Sequence, residues 1–180
     1  MAWRKLYFYW LDHHLDGRPP SRANIDPPTE IPGLLPNLML IDVEAGGFRL
    51  RLSGSEITRR AGFDNTGNMI DPDRLANRSG HGLVRLLSRV AETGAPVLYK
   101  VGPSATSAFG ATILLTPLVD QTGSSVDKIL GGVFYDPGAA RASTVRWDPG
   151  ALSELVLADE LERTEQTAAA PGPDSIHSTG

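Results

Sequence analysis

Residues 38–55 read LMLIDVEAGGFRLRLSGS, and this stretch decides the fold class of the chain. LMLIDVEA (38–45) is a mostly apolar run of strand length, and Gly46-Gly47 is the kind of pair that a hairpin turn favours. The next eight residues alternate between apolar and polar, as a strand with one buried face does. Three of them are expected to face inward: Phe48, Leu50 and Leu52. The stretch predicts two antiparallel strands joined by a tight turn.

Three further strands are predicted downstream. They are PVLYKVG (96–102), FGATILLTPLVD (109–120) and KILGGVFYD (128–136). The loops between them are short and polar, which favours an antiparallel meander. Gly131-Gly132 lies in the middle of the last strand, where missing side chains indicate either a bulge or the close approach of a helix or ligand.

Helices are predicted between and after these strands. SEITRRAGF is predicted to form a short helix with Ser55 as its cap, and residues 80–93 carry one apolar stripe before Gly94 ends the helix. The stripe consists of Leu83, Leu86, Leu87 and Val90. DPGALSELVLADELER (148–163) opens with Asp-Pro, as many helices do, and we predict a C-terminal helix there.

The N-terminal segment is predicted to be an aromatic helix over residues 3–15. Five of the twelve aromatic residues of the chain fall between positions 3 and 10, and they occupy two faces of the helix. One interpretation is that Trp3, Tyr7 and Trp10 contact a partner or a second copy of the chain. The equal alternative is that the helix is buried in its own domain.

The proline-rich stretch after this helix is predicted to form short helical turns rather than a linker. Asp26 is a candidate N-cap, and Pro27 is suited to the first helical position, where its missing N–H costs nothing. Arg22 and Asp26 are four residues apart and are expected to brace the turn by an ion pair.

Composition excludes several classes of function. The chain has no cysteine, so it forms no disulfide, thiolate metal site or flavin–cysteine photoadduct. No apolar run approaches the ~18 residues that span a bilayer. From Ala151 onward there are six acidic residues and one basic residue, so the tail carries −5 and the rest about +1 of the net charge of −4. This charge balance argues against nucleic-acid binding. Because the chain also lacks cysteine, we expect a cytoplasmic protein.

Together these elements predict an α+β fold: a five-stranded antiparallel sheet with helices on one face, an N-terminal helical cap and a C-terminal helix. We divide the chain into four parts. They are the cap (1–37), the sheet domain (38–137), the C-terminal helix (148–163) and a disordered tail (164–180).

The order of the elements and the local sequence resemble a known family. YWLDHHLDGRPPSRANIDPPTEIPGLLPNLMLIDVE, followed by FRLRLSGSEITRRAGFDNTG, is similar to small PAS-like proteins best known in alphaproteobacteria. The matching positions are Tyr9, Trp10, Pro20, Ser21, Arg22, Ala23, Ile25, Asp26, Pro27, Leu34, Leu35, Pro36, Arg51, Gly54, Gly62 and Gly67. The chain departs from the pattern at Asn24, Ser55 and Asn65. The resemblance implies a PAS-like fold and a sensory class of function without naming a ligand.

In such a fold a ligand would lie between the 80–93 helix and the inner face of the sheet. The candidate ligand-binding residues are Arg51, His81, Leu83, Leu87, Tyr99, Ile113, Leu115 and Val133. Arg51 and Tyr99 are the polar groups expected to orient the ligand, although core packing is the alternative for each apolar residue. We assign no catalytic and no metal-binding residues, because no histidine has motif spacing.

We therefore expect a non-enzymatic PAS-type sensory or regulatory module that binds a small ligand, a signalling partner or both, as a homodimer. One alternative is an adaptor without a ligand, with a filled core, that acts by protein recognition. A weaker alternative is an enzyme that uses the pocket and His81. The cofactor, if any, is unknown from the sequence.

Overall fold

The computed structural model describes residues 1–70, 79–101, 110–135 and 152–157, with the backbone alone for 79–81, 101 and 152–157. The predicted tail (164–180) lies outside these residues. In the described part of the chain no helix is long and apolar enough to cross a membrane.

The centre of the molecule is one antiparallel sheet. Its strands are β1 (Leu38–Glu44), β2 (Gly47–Ser53), β3 (Val97–Val101), β4 (Ala111–Val119), β5 (Val126–Tyr135) and β6 (Leu152–Leu157). They lie in the order β2-β1-β5-β4-β3-β6, so β1 from the first hairpin pairs with the last strand of the meander. The five predicted strands are confirmed, and a sixth joins them.

The sixth strand corrects the predicted C-terminal helix. Residues 152–157 pair antiparallel with β3, with Val97 opposite Leu157 and Lys100 opposite Glu154. Without β6, the outer backbone N–H and C=O groups of β3 would form an open sheet edge. Pairing with these groups stabilises residues 152–157 as a strand more than their local pattern stabilises a helix. The remaining residues of the predicted helix, 148–151 and 158–163, lie outside the described structure.

The hairpin of β1 and β2 does not keep the simple alternation of inward and outward side chains along β2. Its register shifts between Leu40, which pairs with Leu52, and Ile41, which pairs with Leu50. Arg51 is therefore the extra residue of a β-bulge, and the bulge turns Leu52 to the opposite face. Leu52 is 45% exposed, so its predicted inward orientation is wrong.

The helices have the following bounds: α1 (Ala2–Asp12), α2 (Pro27–Glu30), α3 (Ser55–Ala61) and α4 (Ser79–Thr93). Two 3-10 turns, at Arg22–Asn24 and Pro32–Asn37, flank α2, so the proline-rich stretch forms short helical turns as predicted. Asp26 precedes α2, but its side chain makes no capping hydrogen bond. Arg22 donates to the carbonyl oxygen of Ile25 at 2.8 Å in place of the expected ion pair.

The two faces of the sheet carry separate cores. The cap-face core lies under α1 and consists of Trp3, Leu6, Tyr7, Tyr9, Trp10, Ile25, Ile31, Leu34, Leu38, Leu98, Leu114, Leu118, Leu130 and Phe134. The α4-face core lies on the other side and consists of Met39, Ile41, Phe48, Ile70, Leu86, Leu87, Val90, Val97, Tyr99, Ile113, Leu115, Ile129 and Val133. Alternate residues of each strand enter opposite cores, as the pleat requires.

Gly132 lets α1 approach the sheet closely. A Cβ atom at this position would lie 2.7 Å from Cδ2 of Leu6 and 2.7 Å from the ring of Phe134. A Cβ at Gly131, on the other face, would lie 2.6 Å from Cε of Met39. The β1–β5 pairing is regular through both glycines, so close packing rather than a bulge explains them.

Four of the five aromatic residues of α1 are buried within the chain. Trp3, Tyr7 and Trp10 are 9%, 3% and 3% exposed. The interpretation of these three as a dimer or partner surface is therefore replaced by the alternative of a helix buried in its own domain. Phe8, 39% exposed, lies outside this cluster of buried side chains.

A polar cluster ties the end of α1 to α2. The Tyr9 hydroxyl donates to Oε2 of Glu30 at 2.6 Å, and Nε2 of His13 lies 3.1 Å from Oε1 of the same carboxylate. The backbone N–H of Asp26 donates to Glu30 as well, at 3.0 Å. The Tyr9 hydrogen bond is the largest cause of the lowered pKa of Glu30, so the carboxylate stays ionised and holds the cap together.

Candidate functional site

The α4-face core is the candidate site, because the helix that covers it brings most of the predicted residues together. Leu87, Tyr99, Ile113, Leu115 and Val133 are buried in it, and Leu83 packs against it partly buried. The apolar stripe of α4 faces β4 and β5, while Arg85 and Arg89 of the same helix lie outside this core. Strand alternation and helical periodicity thus place these side chains as the sequence predicts.

Tyr99 is the polar member of this core. It lies on β3 opposite Ile113 and is 5% exposed. Its hydroxyl has no hydrogen-bond partner among the described residues. A buried hydroxyl without a partner costs about 1–3 kcal/mol of stability, so its retention in an apolar core calls for an explanation.

Two effects act on the pKa of the Tyr99 phenol. Burial raises the pKa of the phenol to about 12, and the positive charge of Arg85 opposes this shift. At neutral pH the phenol therefore remains protonated and can donate one hydrogen bond. The Arg85 charge also creates a positive potential at that hydroxyl.

Arg51 does not join Tyr99 in this core. Its Nε lies 2.9 Å from Oδ2 of Asp42, and its side chain is 57% exposed. Asp42 alternates with Ile41 and Val43, which belong to the α4-face core, so the Arg51–Asp42 pair lies toward the cap face. The expectation that Arg51 orients a ligand together with Tyr99 is corrected, because Arg51 follows Leu50 in β2 and therefore points to the face opposite the α4-face core.

His81 lies in the first turn of α4, and its side chain is outside what the structure describes. The described residues of the α4-face core provide no nucleophile paired with a base. In the described ranges, no three His, Cys, Asp or Glu side chains come together in a way that could hold a metal ion.

Sequence reasoning missed several members of the site. Phe48 of β2 and Ile70, from the polar turn-rich segment, close one end of the core. The alternation at Phe48 was a usable signal, but the position of Ile70 depends on a non-local hydrogen bond from its N–H to the carbonyl of Phe48, at 2.7 Å. Such pairing leaves no periodicity in the sequence.

The rim of the core near the end of β5 is charged. Arg60 of α3 lies 4.1 Å above the ring centroid of Tyr135, and its Nε is 2.6 Å from Oε1 of Glu56. The same carboxylate accepts from Arg59 at 2.7 Å. These contacts fix α3 at the edge of the site.

The Glu56 ion pairs predict a pH-dependent contribution to stability. Hydrogen bonds, first from Arg59, lower the Glu56 pKa from 4.5 to about 2. Because the folded pKa is the lower one, the contribution is complete above about pH 4.5 and is lost as the pH falls toward about 2. We expect Glu56→Gln to cost about 1 kcal/mol at pH 7, since Arg59 is half exposed, and almost nothing near pH 2.

Urea denaturation of both proteins at several pH values checks this expectation. Glu92→Gln, a neutralised exposed carboxylate on α4, is the control and should change stability little at any pH. A Glu56→Gln deficit that stayed constant from pH 7 to acid would show that the ion pairs do not stabilise the rim.

With this geometry in place, the class of protein follows: an antiparallel sheet with a helical cap on one face and α4 over an apolar core on the other. A model of the PAS domain family matches residues 1–134, and the chain belongs to this family. The sensory and signalling role of the class is therefore the coarse function of the protein. No curated protein matches the chain by sequence.

Solved structures show distant likenesses to the chain. The PAS domain from Bordetella pertussis BvgS is 17% identical, with a TM-score of 0.46, and the match covers 78% of this chain and 91% of that one. A light-oxygen-voltage domain from a flavin-analogue study is 12% identical, with a TM-score of 0.45, and the match covers 78% of this chain and 93% of that one. The Rhodobacter sphaeroides LOV protein is 15% identical, with a TM-score of 0.42, and the match covers 58% of this chain and 61% of that one.

Proposed function

We propose that this protein is a non-enzymatic sensory or regulatory module that binds a small ligand within the α4-face core. The observation that carries the proposal is the Tyr99 hydroxyl, which belongs to a residue only 5% exposed and has no hydrogen-bond partner among the described residues. A ligand that accepts this hydrogen bond would remove the cost of burying the hydroxyl. Apolar walls with a single polar contact are typical of small-molecule sites.

Ligand occupancy can control an output only if the ligand binds two arrangements of the protein with different affinity. α4 covers the proposed site, and β6 pairs beside Tyr99, with Leu155 opposite it. Both elements border the site and are candidates to change position with occupancy. The proposal also includes a homodimer, a signalling partner and a cytoplasmic location. The exposed side chain of Phe8 on α1 supports a surface at which a partner or a second copy of the chain could bind.

Native and denaturing mass spectrometry of the freshly purified protein tests the proposal, with an absorption spectrum alongside. A stoichiometric extra mass that is lost on denaturation is the expected result. The bare protein mass, together with no thermal stabilisation by any member of a metabolite library, would contradict ligand binding. That result would favour the alternative of an adaptor whose core is filled by its own side chains.

Tyr99→Phe is predicted to separate stability from binding. Removing the unpartnered hydroxyl should leave the empty protein equally stable or more stable by about 1 kcal/mol. The same change should reduce the fraction of protein that retains the extra mass, because the ligand loses its hydrogen-bond donor. Chemical denaturation and mass spectrometry measure the two effects.

Tyr9→Phe is the matched control, since its buried hydroxyl is bonded to Glu30. It should destabilise the protein and leave the ligand bound. If Tyr99→Phe destabilised the protein as much as Tyr9→Phe does, the Tyr99 hydroxyl would have a partner in solution and the central observation would fail.

A further inference from the structure

The chemistry of the proposed ligand can be inferred from what surrounds Tyr99. The core that contains it is lined by aliphatic side chains, including Ile113 and Val97. The charge that acts on its hydroxyl comes from Arg85, an exposed residue of α4. Arg85 precedes the buried pair Leu86-Leu87, so its stem starts at the edge of the core.

We propose that the occupant of the α4-face core is an apolar monocarboxylate, whose carboxylate accepts a hydrogen bond from the Tyr99 hydroxyl on the side nearest Arg85. This inference rests on the ligand-binding function proposed above and narrows it to one chemical class. The hydrocarbon part of the ligand would lie among the aliphatic side chains of the core, with its head at the α4 edge.

Hydrogen bonding and charge both favour a carboxylate at this position. A protonated phenol is a donor, so its partner must be an acceptor, and a charged acceptor forms a shorter and stronger bond than a neutral one. An ionised group that leaves water also needs an opposite charge nearby, which Arg85 supplies. Within the described residues, Arg85 makes no ion pair that would compete for the carboxylate.

Other ligand classes fit the described residues less well. A cation would face the Arg85 charge without a carboxylate in the α4-face core to compensate it. A nucleotide or other polyphosphate carries several negative charges, whereas one arginine acts on the Tyr99 hydroxyl. A neutral amide or alcohol could accept the hydrogen bond but would gain nothing from Arg85.

Octanoate and octanamide are suitable probes, because they share an apolar chain and differ in the charge of the head group. Each is titrated into the full chain by calorimetry at pH 7, with 3-phenylpropanoate and its amide as a second pair. We expect each acid to bind about tenfold more tightly than its amide. Tyr99→Phe and Arg85→Gln should each reduce acid binding about tenfold and change amide binding less.

Arg89→Gln is the matched control, since Arg89 is an exposed arginine one turn further along α4 and is not among the causes of the raised pKa of Tyr99. It should leave acid binding unchanged. Equal loss with Arg89→Gln would mean a diffuse surface effect and would overturn the inference, as would an amide that binds as well as its acid. Thermal unfolding of each variant without a probe verifies that it is folded.

The failure of this inference can be distinguished from failure of the proposed function. If mass spectrometry finds a retained ligand without a carboxylate, the monocarboxylate class is wrong and the ligand-binding function stands. If no acid or amide binds and no retained mass is found, both proposals are overturned together.

Discussion

Gly54→Ala is expected to lower the free energy of unfolding by about 3 kcal/mol, which corresponds to a fall in Tm of roughly 6–12 °C. Gly54 is buried at the junction between β2 and α3. An added Cβ would lie against the carbonyl oxygen of Pro36 and 2.5 Å from that of Leu35.

The clash is costly because both neighbours are backbone atoms. A side chain could rotate away, but these carbonyls belong to the 3-10 turn at Pro32–Asn37, which leads into β1. The N–H of Gly54 also donates to the carbonyl of Leu38 at 2.7 Å, so the two segments cannot separate without losing a hydrogen bond. Its φ of −63° is accessible to any residue, so the effect is steric rather than conformational.

Gly33→Ala is the control, because a Cβ at Gly33 meets no atom within 4 Å. Both substitutions reduce the freedom of the unfolded chain equally, so the difference between them reports the clash alone. Thermal and urea denaturation of the two variants measure it. Equal stability of the two variants would show that the turn and the β2–α3 junction are not in contact in solution.

Trp10→Ala is expected to destabilise the protein by about 4 kcal/mol, since a large aromatic side chain would be replaced by a cavity. Trp10 is 3% exposed, and its ring packs edge-on against His14 with centroids 4.2 Å apart. Its Nε1 donates to the carbonyl oxygen of Pro117 at 2.8 Å. The β3–β4 pairing ends at Leu115, so the indole satisfies a carbonyl that β3 does not reach.

Trp10→Phe separates the two parts of this effect. It keeps most of the ring and removes the donor, so the cost should be about 1–3 kcal/mol from the unpaired Pro117 carbonyl. Phe8→Ala, on the same helix at a 39% exposed position, is the control and should cost under about 1 kcal/mol. Urea denaturation measures all three.

The Trp10 result also tests where α1 docks. If Trp10 stabilises its own domain, the loss should not depend on protein concentration. A deficit that grew on dilution, with light scattering showing dissociation of a dimer, would instead place Trp10 between two copies of the chain.

The local sequence pattern was sufficient to predict many of the residues of the candidate site. The alternation in β3, β4 and β5 and the stripe on α4 are enough to predict that Leu87, Tyr99 and Ile113 share one core, and they do. These signals work because side-chain direction follows from backbone periodicity alone. Leu52 is the counterexample: one inserted residue in β2 reverses the alternation after Leu50, and the bulge depends on pairing with β1.

The sequence by itself determined the strands β1 to β5, the turns of the proline-rich cap, α4 and the resemblance to PAS domains. Each of these is encoded in a short window of residues. Only the tertiary structure decided that α1 covers the face opposite α4, that residues 152–157 join β3 as a strand, and that the Tyr99 hydroxyl is buried without a partner among the described residues. These outcomes depend on which distant segments meet, and backbone pairing and burial between distant segments leave no periodic signal in the chain.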